Sequence, residues 1–130
     1  MKIVYNMDGY IDDLMNLYKN EWWTNTRSKE EVIKMLQNTT FVFGIVNKDN
    51  ELIAFSRVLS DKVYKAFIFD VIVRKDYRGQ GLGEKLIEMA LNHPELKNVK
   101  SFELYCKDEM VPFYEKFGFK KVDDLAFLKR

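Results

Sequence analysis

Between Val71 and Leu86 the chain reads VIVRKDYRGQGLGEKL. Three glycines, Gly79, Gly81 and Gly83, alternate with other residues, directly after Arg78 and at the start of a helical pattern. Residues of these types at this spacing can bind an anion. The first amides of a helix have no internal partner, and the helix dipole favours negative charge beside them. Glycine lets the backbone come close to a ligand and take up positive φ. Arg78 adds a fixed charge whose fork matches phosphate oxygens. Strand, RGQGLG and amphipathic helix together describe a pyrophosphate cradle. Two other phosphate motifs fit less well. The dinucleotide fingerprint needs G-x-G-x-x-G after the first strand, and the P-loop needs Gly-Lys-Ser/Thr.

Asp70 is a second anomaly, a carboxylate inside the apolar run KAFIFDVIV. A buried carboxylate needs partners or loses its charge. Two readings stand: a base acting directly or through water, and a structural or substrate-orienting pair with Arg57 on the preceding strand. His93, the only histidine, precedes Pro94 at a helix end and is expected to be exposed and without a catalytic role. Cys106 is the only cysteine, so neither an internal disulfide nor a cysteine cluster for metal can form. It reads as a small apolar residue in a strand, and no metal site is expected.

These residues need elements to hold them. Lys2 to Asn6 reads as a short strand. Ile11, Leu14, Met15 and Tyr18 recur on one helical face, with Asp12 and Asp13 in the first turn, where the dipole favours acids. NEWWTNTR interrupts the pattern. Ser28 and Glu31 form a capping box that opens a second helix. TTFVFGIVN and ELIAFSRVLS read as strands joined by a KDN turn, and KAFIFDVIV, apolar on both faces, as a central strand. Gly81 to Asn92 is a helix ended by HPE, and SFELYC a strand. Pro112 suits the first turn of a helix in which Phe113 and Phe117 stack, with Gly118 placed to cap it. GFKKV and LAFLKR read as final strands. The order β-α-α-β-β-β-α-β-α-β describes a mixed sheet with helices on its faces, an α/β (α+β) fold.

The 130 residues suggest a single domain, 1–130. Charged residues make up 32% but nearly cancel, to a net charge of +1, which gives no case for nucleic acid or anionic membrane as a main partner. No signal core or membrane-length apolar run is present, so a cytoplasmic protein is expected.

Arg78, Gly81 and Gly83 form the pattern R-x-x-G-x-G, and here the sequence resembles the GNAT superfamily of acyl-CoA-dependent N-acetyltransferases. The resemblance continues in ELYCKDEMVPFYEKFGF, Glu103 to Phe119, which is locally similar to aralkylamine N-acetyltransferases. It covers roughly Lys2 to Leu128. It implies a GNAT-like sheet of six to seven strands, mostly antiparallel, flanked by four helices, with two central strands splayed into an acyl-CoA cleft. Acetyl-CoA is the implied co-substrate, with no metal. Its pyrophosphate would lie on Arg78, Gly79, Gly81, Leu82 and Gly83, and its pantetheine arm along Val71, Ile72 and Val73. An amine would attack the thioester directly, with Tyr114 as the matching proton donor to the departing sulfur. Aralkylamine acetyltransferases use histidines in this region; this chain has none there. Met110 stands where many relatives carry an asparagine.

The implied acceptor entrance is NEWWTNTR. Trp22 and Trp23 are candidate pocket residues, although adjacent side chains on a helix diverge by about 100°. Arg27 and Arg57 suit an acceptor carboxylate, whereas Asp12, Asp13 and Glu21 suit a polyamine or an aminoglycoside. The resulting expectation is an acetyl-CoA-dependent N-acetyltransferase acting on a small-molecule primary amine, as a monomer or homodimer. A protein N-terminal or lysine acceptor, or a non-catalytic acyl-CoA sensor, is the alternative.

Overall fold

A computed structural model describes residues 1–130. One sheet in the order β1-β2-β3-β4-β5 organises the chain. β1 (Lys2–Val4), β2 (Phe41–Val46), β3 (Leu52–Ser60) and β4 (Lys65–Val73) pair antiparallel, and β5 (Ser101–Glu103) joins β4 in parallel. Helices α1 (Ile11–Lys19) and α2 (Lys29–Gln37) link β1 to β2, α3 (Leu82–Asn92) crosses from β4 to β5, and α4 (Val111–Glu115) follows β5.

Local chemistry starts and stops these elements. The Ser28 Oγ accepts from the Glu31 N–H at 3.2 Å while the Glu31 carboxylate accepts from the Ser28 N–H, which completes the capping box of α2. In the turn before β4 the Asp61 carboxylate accepts from the N–H groups of Val63, Tyr64 and Lys65. Pro112 sits in the first turn of α4, and Gly118 turns the chain out behind it at φ +88°.

The sheet separates two cores. On one face α1 and α2 bury Leu14, Leu17, Tyr18 and Val32 against Val46, Leu52, Phe55 and Ile72. On the other, α3 buries Leu82, Leu86, Ile87 and Ala90 against Phe43, Ile45, Ile53, Val58 and Ile68. Asp13 ties the first layer to the sheet, its Oδ2 accepting from the Leu52 N–H at 3.0 Å.

β4 is covered on both faces, and a bulge in it changes which residues face which core. Phe55 pairs with Ile72 and Arg57 with Phe69, so Ser56 alone faces both Asp70 and Val71. Asp70 takes φ +55°. A β-bulge strengthens local twist and re-aims side chains, and a slip of one residue exchanges the two faces. Ala66 and Ile68 therefore belong to the α3 core, as do Val71 and Val73, while Ile72 enters the α1 core.

β4 and β5 pair only over Lys65–Ser101, Ala66–Phe102 and Phe67–Glu103. Beyond Glu103 the strands part, and the edge of β4 from Ile68 to Val73 has no strand beside it.

The structure corrects several expectations. The sheet has five strands rather than six or seven, because residues 118–130, including GFKKV and LAFLKR, form no strand. β5 is three residues long and offers little ladder to extend, and strand propensity alone does not replace a partner. Cys106 lies past the end of β5 and is exposed rather than packed in a strand. His93 is half-buried, its ring 4.2 Å from that of Phe41, and its Nδ1 accepts from the Glu95 N–H.

Candidate active site

At the end of β4 the chain turns through Lys75–Tyr77 into the glycine segment. Gly79 and Gly81 both lie at positive φ, +79° and +81°, and Gly81 is the N-cap of α3. Side-chain residues resist this conformation. The first helical bond at this end runs from the Lys85 N–H to the Gly81 carbonyl. The backbone N–H groups of Gly79, Gln80, Gly81, Leu82, Gly83 and Glu84 donate to no acceptor in the protein. A run of unpaired amides at the positive end of a helix is an anion-binding nest. Gly83 has another role. A Cβ there would lie 3.3 Å from the Phe113 ring, so its missing side chain lets α4 pack against α3.

Arg78 is already engaged. Its Nε donates to the Val73 carbonyl at 3.0 Å, and its Nη2 to Glu21 Oε1 at 2.6 Å. The first bond folds the guanidinium back along the β4 edge, and the second brings the α1–α2 connection over the cradle. In that connection Trp22 lies under the Lys107 ammonium, 4.2 Å from its ring centroid, and Thr24 anchors the backbone through the Tyr18 carbonyl. Both tryptophans are exposed and lie in turns, so neither anchors a core.

Val71, Ile72 and Val73 border the gap between β4 and β5. The Arg74 N–H donates to the Ile53 carbonyl at 2.7 Å. Alternation along an antiparallel pair then turns the backbone groups of Val71 and Val73 away from β3, toward the open side. Tyr114 is buried on α4 between the rings of Phe113 and Phe119, and its hydroxyl makes no hydrogen bond within the protein. Burial pushes this hydroxyl up to about 12, with the Cys106 thiol adding to the shift.

On the α1 face of the sheet, Asp70 is the hub of a charged network. Its Oδ2 accepts from Arg57 Nε at 2.7 Å, Arg27 Nη1 at 2.7 Å and the Tyr18 hydroxyl at 3.0 Å, while Oδ1 accepts from Arg27 Nη2 at 3.3 Å. The Asp70 side chain is 4% exposed. Burial alone would raise its carboxyl, but the hydrogen bonds and charges of Arg27 and Arg57 outweigh that and hold it below the ordinary carboxylate range. Burial, with the Asp70 charge adding to it, raises the Tyr18 hydroxyl well above the ordinary tyrosine value.

Of the residues singled out from sequence, Arg57 and Arg27 converge on Asp70, and Arg78 joins the glycine segment to Val73. The three acids considered for a cationic acceptor are dispersed: Asp12 pairs with Lys29, Asp13 with β3 and Glu21 with Arg78. Sequence reasoning missed Tyr18 and Glu21 as partners. Tyr18 carried a signal, since a buried tyrosine hydroxyl needs an acceptor; Glu21 carried none.

Parallel strands that separate beside a nest of bare helix-start amides suit an extended ligand with an anionic group at one end. Residues 7–128 match the acetyltransferase (GNAT) domain, and the chain belongs to that family. Among its relatives is the N-acetyltransferase ycf52 of Pyropia yezoensis, 28% identical over 118 residues that span 85% of this chain and 68% of the relative. Another is the histone acetyltransferase TAP1 of Glycine max, 28% identical over 92% of this chain and 56% of TAP1. A crystal structure of a proposed acetyltransferase from Deinococcus radiodurans R1 superimposes with a TM-score of 0.82 at 28% identity, covering 99% of this chain and 87% of that one. The protein is thus an N-acetyltransferase of the GNAT family, whose fold implies acetyl-CoA as co-substrate. No helix is long and apolar enough to cross a membrane.

Proposed function

We propose that the protein transfers an acetyl group from acetyl-CoA directly to the primary amine of a small molecule. The observation that carries the donor half is the run of six unpaired amides, Gly79 to Glu84, at the end of an open strand edge. This set fits a pyrophosphate followed by an extended arm. The amides and Arg78 would hold the phosphates, and the backbone of Val71 and Val73 would pair with the arm. Bound there, acetyl-CoA supplies an acyl group activated as a thioester.

The chain's own residues then have distinct tasks. The bulge turns the Val71 amide toward the gap, where it can stabilise negative charge on a carbonyl oxygen. Tyr114 keeps its proton at neutral pH. Against a thiol near 8.5, full transfer from a hydroxyl at about 12 is uphill by roughly 5 kcal/mol. Tyr114 therefore acts chiefly as a hydrogen-bond donor whose transfer completes late. Asp70 is suited to orientation rather than to base catalysis, because its lone pairs are committed to two guanidinium groups.

A small acceptor is favoured by the space on the α1 face. The opening beside Arg27 and Arg57 is about 300 Å³, and two of the five residues that line it are arginines, which suits an acceptor other than a cationic protein tail. An acceptor screen with acetyl-CoA, reading thiol release, tests this. Transfer to free amines exceeding transfer to lysine-bearing and N-terminal peptides supports a small acceptor; the reverse makes the acceptor a protein. Coenzyme A binding without transfer to any amine refutes catalysis.

A further inference from the structure

We infer that Arg57, assisted by Arg27, forms a subsite for an anionic group on the acceptor, so that the substrate is an amine that also carries a carboxylate or similar acid. This rests on the reading that the protein acetylates a small amine.

Arg57 is 12% exposed, yet only its Nε has a protein partner, the Asp70 carboxylate. Its two terminal nitrogens, with four N–H donors, bond to nothing in the protein. They border the 300 Å³ opening lined also by Arg27, Glu31, Val32 and Met35. The guanidinium lies over Phe69, 4.8 Å from the ring centroid, so its plane is held while its outer edge stays free. Arg27 spends both terminal nitrogens on Asp70 and keeps Nε.

The charge count points the same way. Two guanidinium groups share one carboxylate, which leaves one positive charge in a partly desolvated site. Glu31, the one acid on the rim, is exposed and tied to Ser28 through its Oε1. Arg57 is half-buried and its free nitrogens reach solvent, so a ligand has to displace only the water on them while the Nε bond to Asp70 already holds the fork in place. A carboxylate matches the free fork in geometry and sign.

Position sets the spacing. Arg57 faces Phe69, and its neighbour Ser56 faces Val71 across the bulge, so the backbone positions of the subsite and of the amide beside the proposed thioester lie on the order of 3–6 Å apart along the strands. Phe69, under the guanidinium, supplies the apolar ring at the start of that stretch, and Phe67 and Tyr105 pack on it from the side away from Val71. The acceptor is therefore an amine and an acid separated by an apolar spacer of about that length.

The test uses acceptors that differ only in the acid. 5-Aminovalerate and 4-(aminomethyl)benzoate are each compared with the corresponding carboxamide, in kcat/KM with saturating acetyl-CoA. At least a tenfold preference for the acid, shrinking with added salt, is expected for one or both pairs. Equal rates within both pairs overturn the subsite while leaving the acetyltransferase reading intact. If no amine is acetylated, calorimetry with the same four compounds and coenzyme A-loaded protein decides separately. Binding of an acid but not of its amide supports the subsite, and equal or no binding overturns it. Arg57→Gln keeps a donor for Asp70 but neither charge nor fork, and should remove the preference through KM; a folded variant that retains it overturns the assignment to Arg57.

Discussion

Replacing Asp70 by asparagine removes the charge at the centre of the network with little change of shape. Asparagine tolerates positive φ as well as aspartate does, so backbone strain does not confuse the result. The amide still offers one oxygen, but Arg57 and Arg27 then face each other without a counter-ion. Removing one partner of a buried ion pair costs about 3–5 kcal/mol. Arg27, 29% exposed, recovers some hydration, which favours the lower figure. For 130 residues, an unfolding entropy of about 2.1 cal/mol/K per residue converts 3 kcal/mol into a fall of roughly 11 °C in Tm. The pH dependence carries the same signature. The Asp70 carboxyl is held below its unfolded value, which is near 3.9. Its contribution is therefore fully present above about pH 4 and is lost as pH falls through the lower folded value. Thermal melts followed by circular dichroism should show a constant gap between wild type and Asp70→Asn from pH 8 to about 4, closing at more acid pH. A variant that melts within about 3 °C of wild type at pH 7, or a gap that stays constant into strong acid, would show that the network does not hold the bulge.

Tyr114→Phe should lower kcat by about 10- to 100-fold, the worth of one hydrogen bond to a developing thiolate, with little change in acetyl-CoA affinity. Because the hydroxyl sits at about 12, the wild-type rate should show no loss attributable to Tyr114 up to pH 10; single-turnover kinetics across pH checks both. Glu21→Gln releases Arg78 from its 2.6 Å partner and should tighten coenzyme A binding by up to about fivefold, the range of an exposed pair, as read by calorimetry. Gly44→Ala places a methyl 2.8–2.9 Å from Val4, Leu52 and Met7. It should cost about 1–3 kcal/mol of stability, measured by urea unfolding, with catalysis in the folded fraction unaffected.

The parts of the molecule that could be read from sequence are those whose cause is local. The glycine segment, the Ser28–Glu31 box and Pro112 each announce themselves through what a few adjacent residues can do with their own backbone. The bulge does not. Nothing beside Asp70 marks it, and what sustains it comes from Tyr18, 52 residues away, and Arg27, 43 residues away. The same limit applies to the last strands. LAFLKR has a strand's composition, but whether it pairs depends on how far β5 extends, and β5 stops at Glu103. Arg57 lies between the two cases: its pairing with Asp70 follows from adjacent antiparallel strands, while its unused nitrogens appear only once Arg27 is seen to share the carboxylate.

The parting of β4 from β5 also bears on how the protein coexists with its neighbours at high concentration. A bare strand edge is a template on which another chain can add and then propagate. Here the edge is recessed in a wedge whose apex is the Phe67–Glu103 pair. A molecule with one strand's width can slide in from the open end and satisfy the edge. A second protein's sheet, with further strands behind its first, meets β5 before it can align. The wedge therefore gives the fold an unfinished ladder that a single slender strand can complete more readily than a whole sheet, and leaves the three-residue edge strands β1 and β5 as the only other open edges.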